Sequence, residues 1–206
     1  MTEKEILNKA KEVIQLESEG ILCLLDQLDN RFVEAANLLL KCDGHVLVTG
    51  SGTSHAVARR LAHLLSCCGT PALLIDSGDS QHGLSGAVTK RDVLIALSKG
   101  GQTTEVTNLA RVAKSRGAKL ISITERPASE LGALSDVVLQ VIAPPDVDPL
   151  GVVATGSSLI NSALGDALCV VLLHMRGYSL EQFGETHPGG AVGKKLKHLE
   201  KKSEKK

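Results

Sequence analysis

Five short apolar runs limit what this chain can fold into. They fall at residues 45–49 (His-Val-Leu-Val-Thr), 72–75 (Ala-Leu-Leu-Ile), 92–97 (Asp-Val-Leu-Ile-Ala-Leu), 119–124 (Lys-Leu-Ile-Ser-Ile-Thr) and 136–141 (Asp-Val-Val-Leu-Gln-Val). Runs of this length, rich in Val, Ile and Leu and bounded by turn residues, read as strands buried on both faces. Between them the period changes to that of helices, at 53–68, 103–116 and briefly near 129–134, and a longer helical run at about 155–175 follows the fifth. The segment 76–83 is polar and leads into a short irregular helix. Strands alternating with helices predict a three-layer α/β sandwich around a central parallel sheet. The order of the strands does not follow from the pattern.

Two helices are predicted before the first strand. Residues 3 to about 29 read as one long helix, weakened in the middle by Gly20, and residues 31–41 as a second. Leu7, Ile14, Ile21, Leu25 and Leu28 recur near a seven-residue spacing, which suits a seam packed against another subunit. With no internal repeat or linker, residues 1–206 form a single domain, with helices in 1–41 and a lysine-rich flexible tail at 199–206.

Composition excludes several function classes. The 23 basic and 23 acidic residues cancel, so no net field draws the chain to nucleic acid or an anionic membrane. One Tyr, two Phe and no Trp leave no stacking platform for single-stranded nucleic acid. The five cysteines, Cys23, Cys42, Cys67, Cys68 and Cys169, are odd in number and form no Cys-x-x-Cys pair, so reduced thiols are expected rather than disulfides or a zinc site. The charged N-terminus has no signal-type apolar core, and no apolar run looks uniform enough to span a bilayer. A cytoplasmic protein with no membrane or nucleic-acid partner is expected.

Ligands of parallel α/β sheets bind outside the C-terminal ends of the strands. Two of those ends are unusual here: Gly50-Ser51-Gly52-Thr53-Ser54-His55 and Ser98-Lys99-Gly100-Gly101-Gln102-Thr103-Thr104-Glu105. Each runs from a strand through glycine and hydroxyl residues into a helix N-terminus, where free N–H groups and the helix dipole attract anions. Neither has the third glycine of the dinucleotide fingerprint or the Gly-Lys-Ser/Thr of a Walker loop. With Thr155-Gly156-Ser157-Ser158 at a third helix start, they predict a small phosphate as the ligand.

The segment Thr186-His187-Pro188-Gly189-Gly190-Ala191-Val192 places an imidazole on a sharp turn, since Pro188 keeps His187 out of helical geometry. His82, in Asp79-Ser80-Gln81-His82-Gly83, is a second imidazole in a polar turn. His45, His63, His174 and His198 sit in strand, helix or tail contexts that need no ligand, while His55 is intermediate because it follows the glycine loop. No His, Asp and Glu spacing matches a metal site.

These motifs, with Pro149-Leu150-Gly151 and Gly165-Asp166-Ala167-Leu168, resemble the sugar isomerase (SIS) domain family of phosphosugar-binding proteins over residues 10–197, and within it the bacterial arabinose 5-phosphate isomerases. The resemblance implies a doubly wound, five-stranded parallel sheet and a homo-oligomer, a dimer or tetramer with sites at subunit contacts, and a tetramer is expected here. It assigns phosphate binding to Ser51, Thr53, Ser54, Ser98, Lys99, Gly100, Gln102 and Thr103, and acid/base catalysis to His82 and His187, with Asp146 where the isomerases carry a glutamate. Those isomerases have a lysine at Thr53, a glutamate at Gln102 and a serine at Gly100, and most append paired CBS domains that this chain is expected to lack. The first loop is also similar to that of SIS domains in glucosamine 6-phosphate synthase. The implied reaction is aldose–ketose isomerisation between arabinose 5-phosphate and ribulose 5-phosphate through an enediol, with no cofactor and no metal. The departures leave two alternatives open, a non-catalytic phosphosugar-binding module and an isomerase of another sugar phosphate.

Overall fold

The computed structural model describes residues 1–203. In chain order, α1 (Glu3–Leu22) and α2 (Asn30–Leu40) precede β1 (Val46–Gly50), α3 (Thr53–Cys67) and β2 (Ala72–Leu74). β3 (Val93–Leu97), α4 (Thr104–Ser115), β4 (Lys119–Thr124), α5 (Glu130–Leu134) and β5 (Val137–Gln140) follow, then α6 (Gly156–Arg176), α7 (Leu180–Thr186) and α8 (Gly190–Ser203). Single 3₁₀ turns occur at Asp79–His82, Leu84–Ala87, Pro145–Val147 and Pro149–Gly151.

The five strands are all parallel, in the order β2-β1-β3-β4-β5. Helices cover both faces, which explains why the strands are mostly apolar, with Thr49 and Ser122 as buried polar exceptions. Val46, Val48, Ile95, Ile121 and Ile123 face the layer of α2, α3 and α6, with Leu24 beyond α1. Leu47, Leu94, Ala96 and Leu120 face the layer of α4 and α5. This alternation is the two-residue period of a strand. The chain leaves β1 to one side for β2 and returns to the other side for β3. The C-terminal ends of β1 and β3 therefore flank the topological switch point, where a ligand crevice opens in sheets of this order.

Two expectations are corrected. First, α6 has 21 residues and is long and apolar enough by composition to cross a membrane. Here Ile160, Leu164, Leu168 and Leu172, one helical stripe, are buried in the protein core. Second, α1 ends at Leu22, so it is 20 residues long and spans about 30 Å. Beyond it the chain turns, which buries Leu24 and brings Gln27 to the end of β5. The Gln27 Nε2 donates to the Ile142 carbonyl (3.1 Å) and its Oε1 accepts from the Ile142 amide (2.7 Å). That side chain does the hydrogen bonding of a neighbouring strand just past the sheet edge. Residues 199–203 of the expected tail are the end of α8. Residues 204–206 of the expected tail lie outside the described residues.

Gly20 is not a weak point in a helix but the place where α1 crosses α6. It is the buried residue of α1, and a Cβ there would stand 2.9 Å from Ile160 Cδ1 and 3.2 Å from Val147 Cγ2. Gly20→Ala is therefore expected to be near neutral. It displaces the flexible end of Ile160 and presses lightly on Val147, and gains about 1 kcal/mol of helix propensity. Gly20→Leu is expected to cost about 1–3 kcal/mol by forcing the helices apart. Urea unfolding of both variants checks this, and equal stability of the two would contradict the crossing.

Candidate functional site

Gly50 of β1 lies in register with Leu97 of β3, so the loops that follow the two strands emerge side by side. After Gly50, Gly52 adopts φ +58, a left-handed turn that swings the chain into α3. After Leu97, the Ser98 hydroxyl accepts the Gly101 amide (3.1 Å) and lies 3.0 Å from the Thr103 hydroxyl, so this loop is closed on itself by its own side chains.

The two helices that start here are unusual in this molecule. α1, α2, α5 and α7 are capped at their N-termini by the side chains of Thr2, Asp29, Ser129 and Ser179. α3 and α4 have no side-chain cap. Their first amides are thus left for a ligand at the switch point, where two N-termini and two hydroxyl-bearing loops meet. α6 starts nearby but is capped from a distance, because the Ser157 amide donates to Asp148 Oδ1 (2.9 Å).

Asp148 also accepts from Lys99 Nζ at 3.0 Å through its other oxygen, and Glu125 lies 3.6 Å from the same ammonium. Burial alone would push the Asp148 carboxyl up, but the hydrogen bonds from Ser157 and Lys99 outweigh it and hold the carboxyl below the usual carboxylate range. Burial likewise pulls the Lys99 ammonium down, and its pairing with Asp148 and Glu125 outweighs that, leaving it above the usual lysine value. The charge that the sequence offered to a phosphate is thus already matched by two carboxylates.

An open cleft of about 350 Å³ lies between the β1 loop and the segment after β2, lined by Ser51, His55, Asp76, Ser77 and Glu105 together with three glycines. Its floor is tied to β1, where the Ser77 hydroxyl donates to the Gly50 carbonyl (3.1 Å). His55 Nδ1 stands 3.6 Å from Asp76 Oδ2, and the other Asp76 oxygen accepts the Asp79 amide (2.9 Å). A tighter recess beside the cleft is lined by Ser54, Ser98, Lys99, Thr124, Glu125 and Ser157.

The residues expected to bind phosphate are gathered here. Ser51 lines the cleft, Ser54, Ser98 and Lys99 the recess, and Thr53 opens α3. Gly100 and Gln102 are exposed on the second loop, and Thr103 is the residue before α4. Asp146 is exposed on its own 3₁₀ turn, and the buried acid of that loop is Asp148. His82 is exposed on the turn that Asp76 caps. This turn is fastened to α4 by Gln81, whose side chain donates to the Glu105 carbonyl (3.4 Å) and accepts from Asn108 (2.9 Å).

His187 is elsewhere in the chain. Its Nδ1 is 3.0 Å from both the Phe183 carbonyl and the Thr186 hydroxyl, its ring stacks on Phe183 at 3.8 Å, and Nε2 is 3.5 Å from Cys67 Sγ. Cys67 ends α3, whereas the glycine loop begins it, so His187 stands about 20 Å from that loop in the same chain. One chain alone does not bring His82 and His187 together. Sequence reasoning does not single out Asp76, Glu125 or Asp148. Asp76 is within reach of the strand-end rule, since it comes two residues after β2. Asp148 is hidden beside Asp146, and only the packing tells the two apart.

Comparison with known proteins places the chain in a family. The SIS domain model matches residues 38–171. Arabinose 5-phosphate isomerase KdsD of Escherichia coli K12 is 39% identical over 186 residues, covering 90% of this chain and 57% of the relative. KdsD of Pseudomonas aeruginosa PAO1 is 37% identical over 192 residues, covering 93% and 59%. The chain thus spans a little over half the length of these curated relatives. A candidate sugar-phosphate isomerase from Listeria monocytogenes superposes with a TM-score of 0.89 at 34% identity, covering 92% of this chain and 100% of that one. The E. coli CFT073 protein c3406, solved in complex with a sugar phosphate, gives 0.87 at 28% identity, covering 91% and 100%.

The Asp148 site has a definite pH signature. A carboxyl held low by the fold adds stability that is complete above its unfolded pKa of about 4 and is lost as pH falls through its lower folded value. Asp148→Asn is therefore expected to lose about 1–2 kcal/mol at pH 7, a figure kept small because Lys99 is 45% exposed. The gap between variant and parent should close below about pH 4. Urea unfolding at pH 7 and pH 3 measures it, and a gap that is the same at both would show that the charge is not what stabilises.

Proposed function

The chain belongs to the SIS domain family, and from that premise we propose that it is an aldose–ketose isomerase of arabinose 5-phosphate and ribulose 5-phosphate. The observation that carries the reading is the pair of uncapped N-termini, α3 and α4, side by side at the switch point and opening on a cleft with an imidazole and two carboxylates. The first feature suits a phosphate and the second suits proton transfer. The substrate is taken from the KdsD relatives and is consistent with the sugar-phosphate complex of the E. coli CFT073 protein.

In this reading Ser51, Thr53, Ser54, Ser98, Gly100, Gln102 and Thr103 hold the phosphate with hydroxyls, an amide side chain and backbone N–H groups, while Lys99 contributes through its ion pairs. Binding at the phosphate positions the reacting carbons without touching them. A base takes the proton from C2, an enediolate forms, and the proton returns at C1. His82 and His187 are the acid/base groups proposed for the carbon-bound proton, with Asp146 assisting. Because His187 lies about 20 Å from the loops of its own chain, it serves a neighbour's site, and the working form is a homo-oligomer, proposed as a tetramer. Unpartnered apolar surface supports this: Leu7, Ile14 and Leu25 are 61, 64 and 68% exposed, and Leu150 is 90% exposed at φ 57. The five free thiols support a reducing, cytoplasmic setting.

A second reading, a phosphosugar-binding module without turnover, is favoured by the neutralised Lys99, which leaves the second loop without a spare cation. A coupled assay over a panel of pentose and hexose phosphates separates the two. Turnover of arabinose 5-phosphate supports the isomerase, and binding without turnover supports the module. For an isomerase, Ser98→Ala is expected to raise KM about tenfold, the equivalent of one hydrogen bond of about 1.4 kcal/mol, with kcat changed less. A pure kcat effect would contradict a role in phosphate binding.

Leu7→Glu with Ile14→Glu is expected to split the oligomer and abolish turnover without lowering the stability of the chain, because both side chains face solvent within it. Light scattering and unfolding read this out. A fully active monomer at micromolar concentration would overturn the assembly.

A further inference from the structure

In one chain neither proposed catalytic histidine lines the cleft at the switch point. His82 is exposed on the turn beside it, and His187 packs on Cys67 at the far end of α3. The imidazole that does line it is His55, the third residue of α3. Asp76 Oδ2 is 3.6 Å from His55 Nδ1, a little long for a hydrogen bond, and a small turn of either side chain would let Nδ1 donate to it. Nε2 is then left with its lone pair. Asp76 is itself fixed, since its other oxygen accepts the Asp79 amide. A contact between side chains 32 and 44% exposed contributes little to stability, so folding does not explain it. Glu105, on the first turn of α4, lines the same cleft.

We infer that His55 is a further catalytic residue, the group that carries the hydroxyl proton between O2 and O1 of the enediolate, and that Asp76 is its positioning residue. This rests on the isomerase reading above. Loss of the carbon-bound proton from C2 leaves an enediolate with the negative charge on O1 and a hydroxyl at O2. His55 Nε2 takes the O2 proton and delivers it to O1. The electron pair on O2 then closes the C2 carbonyl while C1 takes the proton back from the carbon base. The imidazole ends as it began, and no oxidant, reductant or cofactor enters the balance. Each chain thus supplies the hydroxyl shuttle to its own site, next to its own phosphate loops.

The test uses the full chain with arabinose 5-phosphate in D2O. His55→Gln is expected to lower kcat by at least about a hundredfold with KM changed less than about threefold. Exchange of the C2 hydrogen with solvent should continue, since the enediolate still forms. Asp76→Asn keeps an acceptor for the Asp79 amide and removes only the charge, so it should lower kcat about tenfold. It should cost nothing further in the His55→Gln background, because it acts through His55. A His55→Gln protein with kcat near the parent's overturns the inference, as does loss of exchange and turnover together or an additive double variant. A parent chain that turns over no sugar phosphate overturns the isomerase reading first and this inference with it.

Discussion

Val46 to Gly50 of β1 run in register beside Val93 to Leu97 of β3, and all ten residues are buried. Burying both faces of this pair requires a helical layer on each side, and the molecule is arranged around that requirement. Apolar surface removed from water is worth about 25 cal/mol per Å², and these central strands give it up completely. The same pairing has a second consequence, because parallel strands end on the same side. The loops after Gly50 and Leu97 emerge as neighbours, and the helices they lead into point their N-termini at one crevice. Core formation and site formation are therefore one event.

Charge at this end is arranged to leave the helix ends open. Asp148 spends one oxygen on the start of α6 and the other on Lys99, and Glu125 approaches Lys99 from the end of β4. The three segments are joined through one ammonium, whose charge is more than matched by the two carboxylates. In the proposed function a dianionic phosphate is held by neutral dipoles, the amides of α3 and α4 and the hydroxyls of Ser51, Ser54, Ser98 and Thr103. Such groups carry partial charge in fixed directions and lose little orientational freedom on binding. His55 and Asp76 form a separate pair on the β2 side of the switch point, away from the Lys99 cluster.

On the layer that carries α6, two close approaches decide how the helices fit. Gly20 lets α1 cross α6, and Gly165 lies where an added Cβ would meet Leu61 of α3 at 3.1 Å. A bidentate pair between Arg60 and Asp166, at 2.6 and 3.0 Å, holds α3 to α6 at the surface. The outer side of α1 stays apolar and uncovered in the single chain. A row of this size is unusual on a helix of a lone domain and belongs with the distant seat of His187.

Much of the fold is legible in the sequence. The apolar runs mark the five strands within a residue or so, Lys119–Thr124 without error, because a strand buried on both faces is written as a short, mostly apolar run. The glycine and hydroxyl loops are legible for a similar reason, since the turn from strand to helix demands those residues locally. What the sequence leaves open is decided by contacts between distant segments. Gly20 reads as a weak helix position until Ile160 and Val147 are found against it, and α1 reads as running to 29 until Leu24 and Gln27 are seen to leave the helix for the core and for Ile142. Lys99 reads as a free cation until Asp148 and Glu125 are found beside it, and His55 reads as intermediate until Asp76 and the cleft are found on either side of it. The sequence by itself determined the elements, because propensity and period act over a few neighbouring residues. Only the tertiary structure decided which groups share a site, because those partners lie tens of residues apart and meet only once the sheet has set their register.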